Sequence, residues 1–436
     1  MKGVPPKKEE LISLEENLPE EKHNVSEGQV SVFDSSSIGE TIIDPELVEE
    51  RLKEAIETEK PKKKKKSIIT NLIFLALNVF VLAFIINTFL NETDGVALKD
   101  IISLQGKKLW WLVLGLGLFV VMFFADTMML YCLIKRSTGK GRFLTSYKVS
   151  ATGKYFDAIT PFSVGGQPAQ ILSLSKSGIP LGIATSIPII KIIIYNIVYT
   201  VVIFCFLVFA VPFIPVTSAL NGLLFTLFKI FAYAGLIFTA MTSVVFILIG
   251  SGKLVGRSVV RWIVRLGYKL RIVKDYRKSY NKIMNQVLEY QSSIKYLKNN
   301  KGTLFSCIFF ALLEVLAYFA IPFAVVMAFT PTSVVGFVPT IWILFVCMTN
   351  VIVCQMAAVI IPLPGGTGMM EFSFIALFGV STLIGATNVV WGLLAWRFLT
   401  YYFTIIQGFV VSTTDSVVRM VKARKVAKVE QKIEKQ

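Results

Sequence analysis

VVGFVPTIWILFVCMTNVIVCQMAAVIIPLPGGTGMME, residues 334–371, is the stretch whose reading decides the fold. From 334 to 361 it is almost wholly apolar and carries no charge, long enough to cross the roughly 30 Å hydrocarbon core of a bilayer. The pattern then breaks at Pro362, Pro364, Gly365, Gly366 and Gly368, and the first acid to follow is Glu371. Proline removes a backbone donor, and glycine admits conformations that no helix uses. At membrane depth such a backbone survives only where protein covers it or where it lines a wet cavity.

A second segment breaks in a similar way. TPFSVGGQPAQ, residues 160–170, holds Pro161, Gly165, Gly166 and Pro168, with Gln170 at its end. Each segment has a Gly-Gly pair shortly after a proline and a polar side chain shortly after that pair. Broken helices in matching positions of two halves are the pattern of transporters built from inverted repeats. Two ordinary interfacial turns are the competing reading.

The remainder of the chain agrees with a membrane setting. Of 436 residues, 54% are hydrophobic and 17% charged, with a mean hydropathy of +0.66. Soluble domains hold roughly 25% charged residues. Apolar stretches fall at about 67–90, 109–134, 182–215, 218–250, 304–329, 334–361, 369–384 and 386–412. The expected fold is therefore all-α: a polytopic helical membrane protein of about eight transmembrane helices with two Pro/Gly-broken or re-entrant segments. Seven crossings plus a re-entrant hairpin is the alternative, because 369–384 is short. A β-barrel is excluded, since its strands alternate polar and apolar side chains.

Charge divides the chain. Residues 1–66 hold 12 Lys/Arg against 16 Asp/Glu, so they form an acidic tail. The tail lacks the apolar core of a signal peptide, reads as largely disordered with a short helix opening at Asp44-Pro45, and ends in the run Lys62–Lys66. Residues 67–415 form the transmembrane domain, and 416–436 form a basic tail. Within the domain, 251–302 carry 13 Lys/Arg against Asp275 and Glu289, with apolar residues at helical spacing (Val259, Trp262, Ile263, Leu266, Leu270). This loop is expected to form amphipathic helices on an anionic membrane surface. Basic flanks, including the stretch 135–154, place both termini in the cytoplasm. Nucleic acid is a poor partner for charges that flank apolar spans.

Metal and acid–base chemistry find little support. The one histidine, His23, lies in the tail, and the five cysteines all fall in apolar stretches without a CxxC pair. No catalytic residue, metal or cofactor is expected. The charges inside apolar spans are few: Asp126, Lys191, Lys229, Glu314, Glu371 and Arg397. Each costs about 2.5–3.5 kcal/mol at mid-bilayer unless it finds a partner or water. Glu371 and Arg397 form the leading candidate pair, with Lys191, Gln170, Asp126 and Glu314 as further substrate-binding candidates. Lys229 can snorkel to the interface.

Thr-Pro-Phe-Ser-x-Gly-Gly-x-Pro-Ala at 160–169, Pro-x-Pro-Gly-Gly-x-Gly-x-x-Glu at 362–371 and an arginine in the next span together resemble the lysylphosphatidylglycerol synthase transmembrane-region family. This is the flippase-like membrane module of the multiple peptide resistance factor. The resemblance covers about 67–415. It implies a multi-pass protein of the bacterial cytoplasmic membrane that handles a phospholipid or lipid-linked substrate, with a second copy or a partner synthase as further partners. The sequence ends about 20 residues after its last span, so the aminoacyl-transferase domain of the full-length enzymes is not expected here. A flippase-like transporter is the leading expectation. A phosphatidylglycerol lysyltransferase-type enzyme, or its membrane subunit, is the alternative.

Overall fold

Every regular element among the described residues is a helix. The computed structural model describes residues 106–209, 222–269, 300–330, 340–359, 363–379 and 389–415, with parts of 275–291 and residue 418. The chain divides into Met1–Ser67 and Ile68–Gln436, and all described residues belong to the second unit. The expectations for the acidic tail, the first span at 67–90, Pro362 and most of the basic tail lie outside the described residues.

The helices are α1 (Gly106–Thr138), α2 (Phe143–Ile159), α3 (Gly166–Ser175), α4 (Leu181–Phe209), α5 (Gly222–Ser251), α6 (Lys253–Lys269), α7 (Lys301–Phe329), α8 (Thr340–Ala358), α9 (Met369–Phe374) and α10 (Val389–Asp415). Six of them, α1, α4, α5, α7, α8 and α10, are long and apolar enough to cross a membrane. The outer surface fits that setting. Ile230, Ile237, Met241 and Val244 on α5 stand exposed, as side chains facing acyl chains do.

α1 and α7 run antiparallel through the centre: Trp111 meets Phe323 edge-on at 5.6 Å near one end, while Leu133 and Cys307 share a buried cluster near the other. That second end is basic. Lys135 and Arg136 close α1, and Lys148 of α2 bonds Asp415 of α10 at 2.8 Å.

The two broken segments are helical hairpins entering from opposite ends. The first consists of α2, a 3-10 turn at Pro161–Ser163, and α3. It starts and finishes at the basic end, where Arg142 donates to the Ser177 carbonyl at 3.0 Å. In the second hairpin, α8 starts beside the far end of α4, with Phe345 next to Phe206. It runs inward to a turn at Pro364–Gly366, and α9 then returns. Asn350 donates to the Leu377 carbonyl across the returning arm. The described part of the arm, Met369–Gly379, is about 16 Å long at 1.5 Å per residue. The two turns touch.

The Gly-Gly pairs, matched in the sequence, are not structurally equivalent. The residues that turn are the two after proline in each hairpin: Phe162 (φ 55°) and Ser163 (φ 53°) in the first, Gly365 (φ 61°) and Gly366 (φ 63°) in the second. Gly165 and Gly166 instead begin α3 with ordinary φ. They are small for lack of space: a Cβ on Gly166 would collide with the Asp157 carboxylate. Pro168 fits because it stands in the first turn of α3, where no helical partner is lost.

The 251–302 loop does contain an amphipathic helix, α6, and much of its apolar stripe stands exposed on the protein. Val260 and Val264 pack against Ile193 and Ile249, while Trp262 and Leu266 remain exposed.

The left-handed backbone at the two turns yields a reciprocal prediction. Such a conformation costs an L-residue about 1–2 kcal/mol. Ser163→Gly should raise the melting temperature of the purified protein, and Gly365→Ala should lower it. Ala at the exposed Gly117 within α1, whose Cβ meets nothing within 4 Å, should not lower it, since Ala favours a helix over Gly.

Candidate functional site

Four helices each place one charge at a common point. Lys154 of α2 donates from Nζ to Glu314 Oε1 of α7 at 2.7 Å, and it lies 3.5 Å from Asp126 Oδ1 of α1. Lys191 of α4 meets the same Asp126 oxygen at 2.5 Å. Ser150 donates its hydroxyl to the other oxygen of Asp126. Asp126 and Glu314 are almost wholly buried. Carboxylates removed from water are tolerable only with such partners. Glu314 Oε2 remains without a hydrogen bond.

The second charge group belongs to the second turn. Arg397 of α10 donates from Nε to Glu371 Oε1 at 2.7 Å and from Nη1 to the Gly365 carbonyl at 3.1 Å. Glu371 Oε2 accepts the Gly368 N–H at 2.6 Å. Both side chains are 3% exposed. Aromatic packing sets their positions. Trp396 stacks on Phe374 at 4.9 Å, which holds α9 against α10 and brings Glu371 to its neighbour. Tyr401 covers the guanidinium at 5.2 Å and donates its hydroxyl to the Ala158 carbonyl of the first hairpin at 3.2 Å.

A cavity of about 830 Å³ lies between these groups. Asp126, Lys154, Asp157, Lys191, Glu314 and Arg397 all line it, as do Gln167, Gln170 and residues of both turns (Phe162, Ser163, Gly365, Gly366). Asp157 accepts the Gly166 N–H at 2.7 Å and so caps α3. Tyr318 and Gln355, bonded to each other, complete the polar wall. The cavity is wide enough for a polar headgroup, and it is lined by both signs of charge.

Five of the six substrate-binding candidates from the sequence, Asp126, Gln170, Lys191, Glu314 and Arg397, therefore share one cavity. Glu371 is placed differently: it lies behind Arg397, with its oxygens taken by that side chain and by Gly368. Sequence reasoning misses Lys154, Asp157, Tyr318 and Gln355. Lys154 reads there as one of the basic flanking residues of 135–154. Its signal is the Lys-x-x-Asp spacing directly ahead of the 160–170 segment. Among the described residues no cluster of His, Cys, Asp and Glu has the makings of a metal site.

Helices of this length and apolarity, broken twice around a charged interior, define a polytopic membrane protein with a polar internal cavity. The chain belongs to the family described as Lysylphosphatidylglycerol synthase TM region, which matches residues 70–408. No curated protein and no solved structure gives a match.

The Glu371–Arg397 pair can be tested by a double-mutant cycle on thermal stability. Removing one member leaves a buried charge alone, at a cost of about 3–5 kcal/mol. Glu371→Gln and Arg397→Gln should each lower stability strongly, while the double mutant should recover part of the loss. Strictly additive losses would show that the two side chains do not interact.

Proposed function

We propose that the protein is a flippase-like transporter that moves a phospholipid headgroup across the bacterial cytoplasmic membrane, with aminoacylated phosphatidylglycerol or another lipid-linked headgroup as substrate. One observation carries the reading: a cavity of headgroup size, lined by paired charges of both signs, where two opposed re-entrant hairpins meet. A charged headgroup cannot cross hydrocarbon unaided, for the reason that buried charges must pair. In the cavity it exchanges partners. Phosphate oxygens compete for Lys154, Lys191 and Arg397, and an ammonium competes for Asp126 and Glu314. The acyl chains stay in lipid, as exposed apolar surface such as that of α5 permits. Both termini face the cytoplasm in this reading, and α6 lies on the anionic inner surface.

The family description, which includes the word synthase, favours a second reading in which the chain is itself a phosphatidylglycerol lysyltransferase-type enzyme. Purified protein given aminoacyl-tRNA and phosphatidylglycerol separates the two, because labelled lysyl-lipid forms only if synthesis is present.

Transport is tested in liposomes that carry fluorescent lysylphosphatidylglycerol or phosphatidylglycerol, with a membrane-impermeant quencher reporting leaflet exchange. The protein should accelerate exchange of at least one lipid. Lys154→Gln, which leaves Glu314 without its ion pair and Asp126 with one cation fewer, should slow it at least tenfold, and the lipid-facing Ile237→Ala should not. Exchange no faster than in protein-free liposomes for every lipid would overturn the reading.

A further inference from the structure

The charges around the cavity do not cancel. Asp126, Asp157 and Glu314 face Lys154, Lys191 and Arg397, but Arg397 is already matched by Glu371 behind it. One carboxylate is left in excess among the described residues. An uncompensated charge in this setting costs several kcal/mol, so the empty site takes up one positive charge. Glu314 is where it goes. Asp126 has two cationic neighbours and a serine hydroxyl. Asp157 accepts a backbone N–H. Glu314 is 3% exposed, lines the cavity, shares its one ion-pair partner, Lys154, with Asp126, and leaves Oε2 buried without a hydrogen bond.

We propose that Glu314 is an exchange site: it holds a proton on the carboxyl when the cavity is empty and releases that proton when a cationic group enters. The step balances. A neutral carboxyl and an alkylammonium give a carboxylate–ammonium ion pair and one free proton. Transport of a lipid with one more positive charge is thereby coupled to movement of one proton the other way. Apart from Lys154, the groups facing Glu314 are Asp126 of α1, Lys191 and Tyr195 of α4, and Tyr318 one turn along α7. α8 contributes no charged side chain. Lys191, the other cation near it, is ion-paired to Asp126 at 2.5 Å, and no hydrogen bond reaches Oε2. The exchange rests on the transport reading above and adds to it a class of ligand and a co-transported proton.

The test adds lysylphosphatidylglycerol, or phosphatidylglycerol as a control, to the purified full chain in weakly buffered detergent near neutral pH. Binding is measured by calorimetry, and released protons by an indicator dye. About one proton should leave per lysyl-lipid bound, and none with phosphatidylglycerol. Apparent affinity should rise by up to tenfold per pH unit while the site remains protonated. Glu314→Gln, which keeps the shape and the Lys154 contact, should abolish proton release and flatten the pH dependence, with affinity about tenfold weaker. Binding of lysyl-lipid without proton release, or a pH dependence unchanged in Glu314→Gln, overturns the exchange and leaves the transport reading standing. No binding of either lipid at any pH overturns both.

Discussion

A guanidinium enclosed in a membrane protein must find its counter-charge inside the protein, and the rest of this architecture follows from how Arg397 does so. Glu371 supplies the charge and the Gly365 carbonyl takes a second N–H. Both partners belong to the second hairpin, so the pair ties that turn to α10. Tyr401, packed on the same guanidinium, bonds the backbone of the first hairpin. One cation thus holds two backbone breaks in register. Without it, the Gly365 carbonyl and Glu371 would lose their charged partner, and backbone breaks at membrane depth persist only where protein or a wet cavity satisfies them.

The same logic operates at the other wall. Asp126, Lys154, Lys191 and Glu314 come from four helices, and none is acceptable in hydrocarbon alone. Together they form a network in which Asp126 and Glu314 share Lys154 and Asp126 also holds Lys191. A purely apolar wall would be more stable but would offer a polar ligand no partner. The left-handed Phe162 and Ser163 extend this trade to the backbone, since strain of that kind persists where surrounding structure enforces it, often at functional sites.

Apolar length makes the spans legible in the sequence, and the cost of buried charge is enough to single out Asp126, Lys191, Glu314 and Arg397. Two things stay hidden there. Lys154 is chemically identical to a flanking lysine, and only the fold shows that α2 carries it inward to Glu314. The true correspondence of the two breaks is also masked, because identity between Gly165-Gly166 and Gly365-Gly366 is a stronger textual signal than shared φ. Proline-led turns align Phe162 with Gly365, which no residue-type comparison suggests. The periodicity of α6 identifies a helix and the stripe that the protein leaves exposed, Trp262, Ile263 and Leu266, while Val260 and Val264, next in sequence, lie inward.

The central claim is that water reaches the turns deep in the protein while the outer helices face lipid. Val164, at the first turn, and Ile237, midway along α5, are both 60% exposed in the isolated molecule, so the protein alone does not distinguish them. Labelling with a membrane-impermeant thiol reagent does, in reconstituted Val164→Cys and Ile237→Cys variants whose five native cysteines have been replaced. The account predicts rapid modification at 164 and none at 237. Protection at 164 equal to that at 237 would contradict it, since the hairpins would then meet in a dry interior with no path for a headgroup.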